Sequence, residues 1–191
     1  MAQGPAWYDA YPKPRNESPA AVTRQELLGW LEIGQNSGVD FLLIDVRRTD
    51  HEVKRTLIPQ LPQWFRTLTF HVKGGTIKGS INLPAQSLYH SLPTLLALCQ
   101  NANIRTVIWY CGRLITTFLL WLSLTFFRHP GSCGGRGTRA AGWFQDLLDD
   151  RHVSGITSAI LQGGVKGWAR AGKAYTDLMD EYEPEKWPSE K

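Results

Sequence analysis

The chain has 191 residues, one domain's worth at roughly 150 residues per domain, and its 42% hydrophobic and 20% charged residues exclude global disorder. Three cysteines exclude a disulfide-stapled scaffold and point to a reducing compartment, the cytoplasm first and the nucleus second. The net charge of +4 does not imply a nucleic-acid partner. Residues 53–73 and 113–131 hold six Lys or Arg and no Asp or Glu, and the rest of the chain has 15 basic and 17 acidic groups, a net of −2.

The opening residues, MAQGPAWYDAYPKP, have neither a basic start nor an apolar run, so no signal peptide is expected. Pro5, Pro12, Pro14 and Pro19 predict an irregular segment to about Ala21, with Trp7 and Tyr8 as anchors. Thr23-Arg24-Gln25-Glu26 is a capping box, and Leu27, Leu28, Trp30 and Leu31 continue it as a helix to about Gly34. Phe41 to Ile44 reads as a buried strand with Asp45-Val46-Arg47 at its carboxyl end. After the first acid-free run, Gly74 to Ser80 is a turn; it lacks the lysine a phosphate-binding P-loop would need. Ser80 to Pro84 reads as a short strand, and a leucine-rich helix runs from Leu92 to about Leu98.

Thr106 to Cys111 is the strongest buried strand in the chain. Leu114 to Phe127, in the second run, is fourteen uncharged residues, short of the roughly 17–25 that a membrane span needs, so no span is expected. A helix is predicted over Thr138–Asp150, a strand over Ser158–Leu161, a short helix over Val165–Ala169, and a solvated acidic face over Asp177–Glu185. Alternating strands and helices make this an α/β domain with a mainly parallel central sheet and helices on both faces. The single domain spans residues 1–191.

Ligands of open α/β sheets bind beyond the carboxyl ends of strands, where Cys111 lies. With the second run set aside, the chain reads Cys111, Gly112, Ser132, Cys133, Gly134, Gly135, Arg136, Gly137, and then a helix. Glycines let successive N–H groups turn inward as an anion nest, and Arg136 supplies a planar two-pronged clamp. Such a field favours the thiolate, which is the nucleophilic form. Cys133 to Arg139 is a second, unbroken Cys-five residues-Arg count, but His129-Pro130-Gly131-Ser132 before it is not a buried strand. Cys99 reads as a small core hydrophobe, and the five histidines show no ligand spacing, so no metal site is expected.

The segments WYDAYPKPRNESPAAVTRQELL, LLIDVRRTDHE, GGTIKGSINLPAQSL, VIWYC, GGRGTRAAGWF and LQGGVKGWA resemble the rhodanese-fold phosphatases and arsenate reductases of fungi, relatives of the phosphatases that activate cyclin-dependent kinases. The resemblance implies a three-layer rhodanese-like domain. It also implies a phosphorylated substrate or arsenate, held in a Cys-five residues-Arg loop; sulfurtransferases usually have a loop one residue shorter. Cys111 and Arg136 are then the catalytic pair, Gly112, Ser132, Cys133, Gly134, Gly135 and Gly137 the oxyanion loop, and Asp45 and Arg47 supporting residues. No cofactor is expected beyond glutathione or another thiol as reductant for arsenate. Alternatives are a sulfurtransferase with a persulfide on Cys111, and an inactive regulatory domain.

The chain departs from that pattern in three ways. Tyr110 stands where the phosphatases typically have His; no general acid stands out among Asp45, Asp50 and Glu52; and 24 residues separate Cys111 from Arg136. The acid-free runs account for the last departure as insertions, expected to be translated introns or else extra loops. At three nucleotides per residue they correspond to 63 and 57 nucleotides, in frame, and Val53-Lys54 and Lys73 can be encoded by splice-site-like sequences.

Overall fold

A computed structural model of the chain describes residues 7–47, 74–112 and 135–187. Both expected insertions, 53–73 and 113–131, lie outside the described residues, as do Asp50, Glu52, Ser132, Cys133 and Gly134.

Five strands form one parallel sheet: β1 (Ala20–Val22), β2 (Leu42–Asp45), β4 (Ile81–Asn82), β5 (Thr106–Tyr110) and β6 (Thr157–Leu161), in the order β1-β6-β5-β2-β4. β5 is the middle strand. Its near-continuous apolar run follows from that place, because both faces of a parallel sheet are covered. Successive side chains on a strand face opposite ways, so Val107, Trp109 and Cys111 enter one core and Ile108 and Tyr110 the other. The first core is covered by α2 (Ala85–Leu88), α3 (Leu92–Asn101) and α4 (Arg136–Asp150). The second lies under α1 (Arg24–Glu32) and α5 (Gly164–Ala169), followed by a short α6 (Lys173–Thr176). This is the expected α/β domain with helices on both faces.

The capping box forms as read. Glu26 N–H donates to Thr23 Oγ1 at 3.1 Å, and Thr23 N–H donates to the Glu26 carboxylate at 2.7 Å. The irregular opening segment holds one 3-10 turn, Trp7–Ala10, with Trp7 packed edge-on against Trp143 of α4. α4 buries Ala140, Ala141, Trp143, Phe144 and Leu148, whereas Leu147 is only partly covered.

Three expectations need correction. Ala20 and Ala21, expected in the irregular opening segment, belong to β1 and pair with Ala159 and Ile160 of β6. α4 begins at Arg136, two residues before the predicted Thr138, because Gly135 turns into it at φ +78°. The tail is more than a solvated acidic face. β7 (Met179–Asp180) pairs antiparallel with β3 (Thr76–Ile77), and Met179 is buried. A buried Met between acidic residues is enough to dock a two-residue ribbon, which leaves no periodicity to read.

Candidate active site

The register places Asp45 beside both Tyr110 and Asn82, so β2, β4 and β5 end side by side at the carboxyl edge of the sheet. Cys111 leaves β5 at this edge and is 2% exposed. Gly112 follows, and its carbonyl accepts a hydrogen bond from Arg136 Nη2 at 3.3 Å. Arg136 opens α4, so its guanidinium reaches back from the helix to the residue after the cysteine. The structure thus brings Cys111, Gly112, Gly135 and Arg136 to one end of the sheet across 24 intervening residues. Gly137, expected in the loop, is buried in the first turn of α4.

Arg139 is placed differently. Its guanidinium lies 3.9 Å from the centroid of the Tyr8 ring and 5.9 Å from that of Trp7, a cation–π stack one turn into the helix. Of the two arginines that could clamp an anion, Arg136 is therefore the one that contacts the Cys111 loop.

Asp45 and Arg47 form a buried brace. The carboxylate accepts from Arg47 Nε at 2.9 and 2.8 Å, from Nη2 at 2.5 Å and from the Arg47 backbone N–H at 3.0 Å. Arg47 Nη2 also donates to the Gly75 carbonyl at 2.7 Å, and Asn82 Nδ2 donates to the carbonyls of Asp45 and Arg47, each at 2.9 Å. The pair thereby ties β2 to β4 and to the chain re-entering at Gly75. The Arg47 stem closes on Gly112, where a Cβ would lie 3.2 Å from Arg47 Cδ. Both Asp45 oxygens accept from Arg47, so the carboxylate is held inside the buried brace. Asn82 is a member of this brace that the sequence reading did not single out.

Tyr110 faces away from Cys111. Its hydroxyl lies 2.8 Å from Ser80 Oγ and accepts from the Ile77 N–H at 3.3 Å, bracing the β3–β4 turn in the opposite core. The residue before the cysteine is thus a structural tie in the opposite core. Burial, and next the Asp45 charge, raise the Tyr110 pKa above its ordinary value of about 10. Because the folded value lies above the unfolded one, this contribution is intact below about pH 10 and falls as pH rises beyond it. Tyr110→Phe should cost about 1–2 kcal/mol at neutral pH through the lost hydroxyl bonds, and should flatten the stability loss above about pH 10. Urea denaturation of both proteins across that range measures both effects.

Cys99 is 1% exposed in the first core, and burial pushes its thiol up to about 11, so it is an inert small hydrophobe. Among the described residues no group of His, Cys, Asp or Glu could hold a metal ion, and no helix is long and apolar enough to cross a membrane.

No protein-family model and no curated protein matches the sequence. Solved structures do match. A yeast protein tyrosine phosphatase of the rhodanese family superposes with a TM-score of 0.55 at 21% identity, covering 88% of this chain and 96% of that one. A second structure of the same yeast protein, described as a homologue of single-domain rhodanese, gives 0.55 at 19%, covering 89% and 92%. The As-Sb reductase of Leishmania major gives 0.52 at 16% identity, covering 85% of each chain.

Proposed function

Because this chain has the rhodanese fold, we propose that it is a cysteine-dependent enzyme acting on a tetrahedral oxyanion, as a phosphatase or an arsenate reductase. The observation that carries the reading is the hydrogen bond from Arg136 to the Gly112 carbonyl, which sets a guanidinium beside the cysteine at the end of the central strand. The names of the matched proteins, a tyrosine phosphatase and an arsenic–antimony reductase, support the substrate class. Loop length supports it too: without residues 113–131, five residues separate Cys111 from Arg136.

In the phosphatase reaction the Cys111 thiolate attacks phosphorus. An S–P bond forms as the ester P–O bond breaks, and the departing oxygen takes up a proton. Water then cleaves the S–P bond, releasing phosphate and the thiol. In the reductase reaction two thiols, such as glutathione, supply two electrons. As(V) becomes As(III), the thiols end as a disulfide, and one oxygen leaves as water. Arg136 and the loop N–H groups hold the anion in both cases and offset charge in the transition state.

One observation favours a second reading, a catalytically inactive rhodanese-like domain. As the chain stands, 24 residues divide the loop, and an anion nest needs contiguous backbone. Assays with a phosphoester, with arsenate plus glutathione, and with thiosulfate plus cyanide separate these readings and the sulfurtransferase. In protein lacking 53–73 and 113–131, turnover is expected with one of the first two substrates. Cys111→Ser should abolish it and Cys133→Ser should reduce it only in part. Full activity of the Cys111→Ser protein would remove the assignment.

A further inference from the structure

Two glycines, Gly163 and Gly164, lead from β6 into α5, and this connection packs against the Cys111 backbone. Gly163 and Gly164 both lie at positive φ, +76° and +56°. A Cβ on Gly164 would sit 2.2 Å from the Cys111 carbonyl oxygen, a backbone atom that cannot swing aside as a flexible side chain could. The next residue, fully buried Val165, donates its N–H to that same oxygen at 3.3 Å. The Val165 side chain also closes on Gly112, where a Cβ would lie 3.5 Å from Cγ1.

We propose that the Gly163-Gly164-Val165 turn is a positioning element for Cys111, which takes its carbonyl and so sets the plane of the Cys111–Gly112 peptide. This rests on the reading of Cys111 as the nucleophile. A peptide unit is planar with its C=O and N–H opposed. With the carbonyl drawn to Val165, the Gly112 N–H points away from the turn, and the carbonyl dipole is kept off the sulfur. Val165 can spend its N–H this way because the first N–H groups of a helix have no partner within it. Gly164 permits the approach because it has no Cβ. The turn and the Arg47 stem therefore hold Cys111-Gly112 from two sides, while β5 holds it from behind.

Alkylation of Cys111 by iodoacetamide in the full chain, mapped by peptide mass spectrometry apart from Cys99 and Cys133, tests this without relying on turnover. Gly164→Ala adds the clashing methyl. Val165→Pro removes the donor together with the buried Val side chain, within the first turn of α5, where proline is tolerated. Gly34→Ala is the control, since Gly34 is also at positive φ (+85°) but has nothing within 4 Å of its Cβ position. Among the described residues, the charged groups in contact with this peptide and Gly112 are Arg47, in its pair with Asp45, and Arg136.

Relative to Gly34→Ala, both variants should alkylate Cys111 about tenfold more slowly at neutral pH. The difference should shrink as pH rises, because higher pH ionises the thiol in every variant. Mere loosening of the fold would instead speed alkylation at every pH. Equal rates in all three proteins, or acceleration at every pH, would overturn the proposal. Should either variant not fold, hydrogen exchange of the Val165 amide in the unaltered protein decides. Protection like that of the β5 amides supports the turn's role, and exchange at the rate of a free amide overturns it. Lack of turnover in the substrate assays would count against the enzyme reading alone and leave this result standing.

Discussion

Deleting residues 53–73 and 113–131 together should raise turnover on the preferred oxyanion by about a hundredfold or more over the full chain. Single donors to a developing oxyanion are worth about 10²–10³ in rate, and the deletion makes the Cys-five residues-Arg loop contiguous in sequence. The deletion joins Glu52 to Gly74 and Gly112 to Ser132. The described flanks show why the fold should accept it. Arg47 already bonds the Gly75 carbonyl, and Arg136 already bonds that of Gly112, so the described residues flanking each run are one side chain apart. After deletion, Ser132, Cys133, Gly134 and Gly135 link Gly112 to Arg136, five steps that span up to about 17 Å at roughly 3.5 Å each. That exceeds the reach of one arginine side chain and its hydrogen bond. Shortening a loop changes closure entropy only slowly, so the gain should appear in the site rather than in stability. We propose that both runs are translated introns. Reverse-transcribed message across both junctions should then consist mainly of products shorter by 63 and 57 nucleotides. Dominant products that retain them, or a full chain as active as the deletion variant, would count against this.

Arg136→Lys should lower turnover of the deletion variant by about 10²–10³-fold with little change in its denaturation midpoint. Lysine keeps the charge but has a single point of contact, so the planar fork that could hold two anion oxygens is lost. Little stability should go with it, because the one fold contact described for this guanidinium is a 3.3 Å bond to Gly112. Steady-state kinetics beside urea denaturation separates the two effects. Unchanged kinetics would mean that Arg136 does not hold the anion. Arg139 would then have to leave its stack on Tyr8 to replace it.

What the sequence made legible follows from the strength of local signals. The capping box at Thr23 and Glu26 states both of its hydrogen bonds in four letters, and both form. β5 announced itself because a strand covered on both faces must be apolar at nearly every position, and Cys111 was found by lying at its end. The orientation of Tyr110 was also available. Neighbours on a strand face opposite ways, so a residue directly before Cys111 enters the other core. The missed parts are those with no local signal. β3 and β7 are two residues each and exist through their pairing, and Asn82 joins the Asp45–Arg47 brace only because β4 lies beside β2. The glycines of LQGGVKGWA were visible as residues, but their approach to the Cys111 carbonyl is a long-range contact.

A Cys111 sulfur that bonds covalently to the oxyanion leaves an intermediate that can be trapped. The deletion variant would be quenched during turnover of an aryl phosphate and its peptides mapped by mass spectrometry. One phosphoryl group is expected on the peptide bearing Cys111, absent from the Cys111→Ser protein. A phosphoryl group on Cys133, or steady turnover of the aryl phosphate by the Cys111→Ser protein, would contradict it.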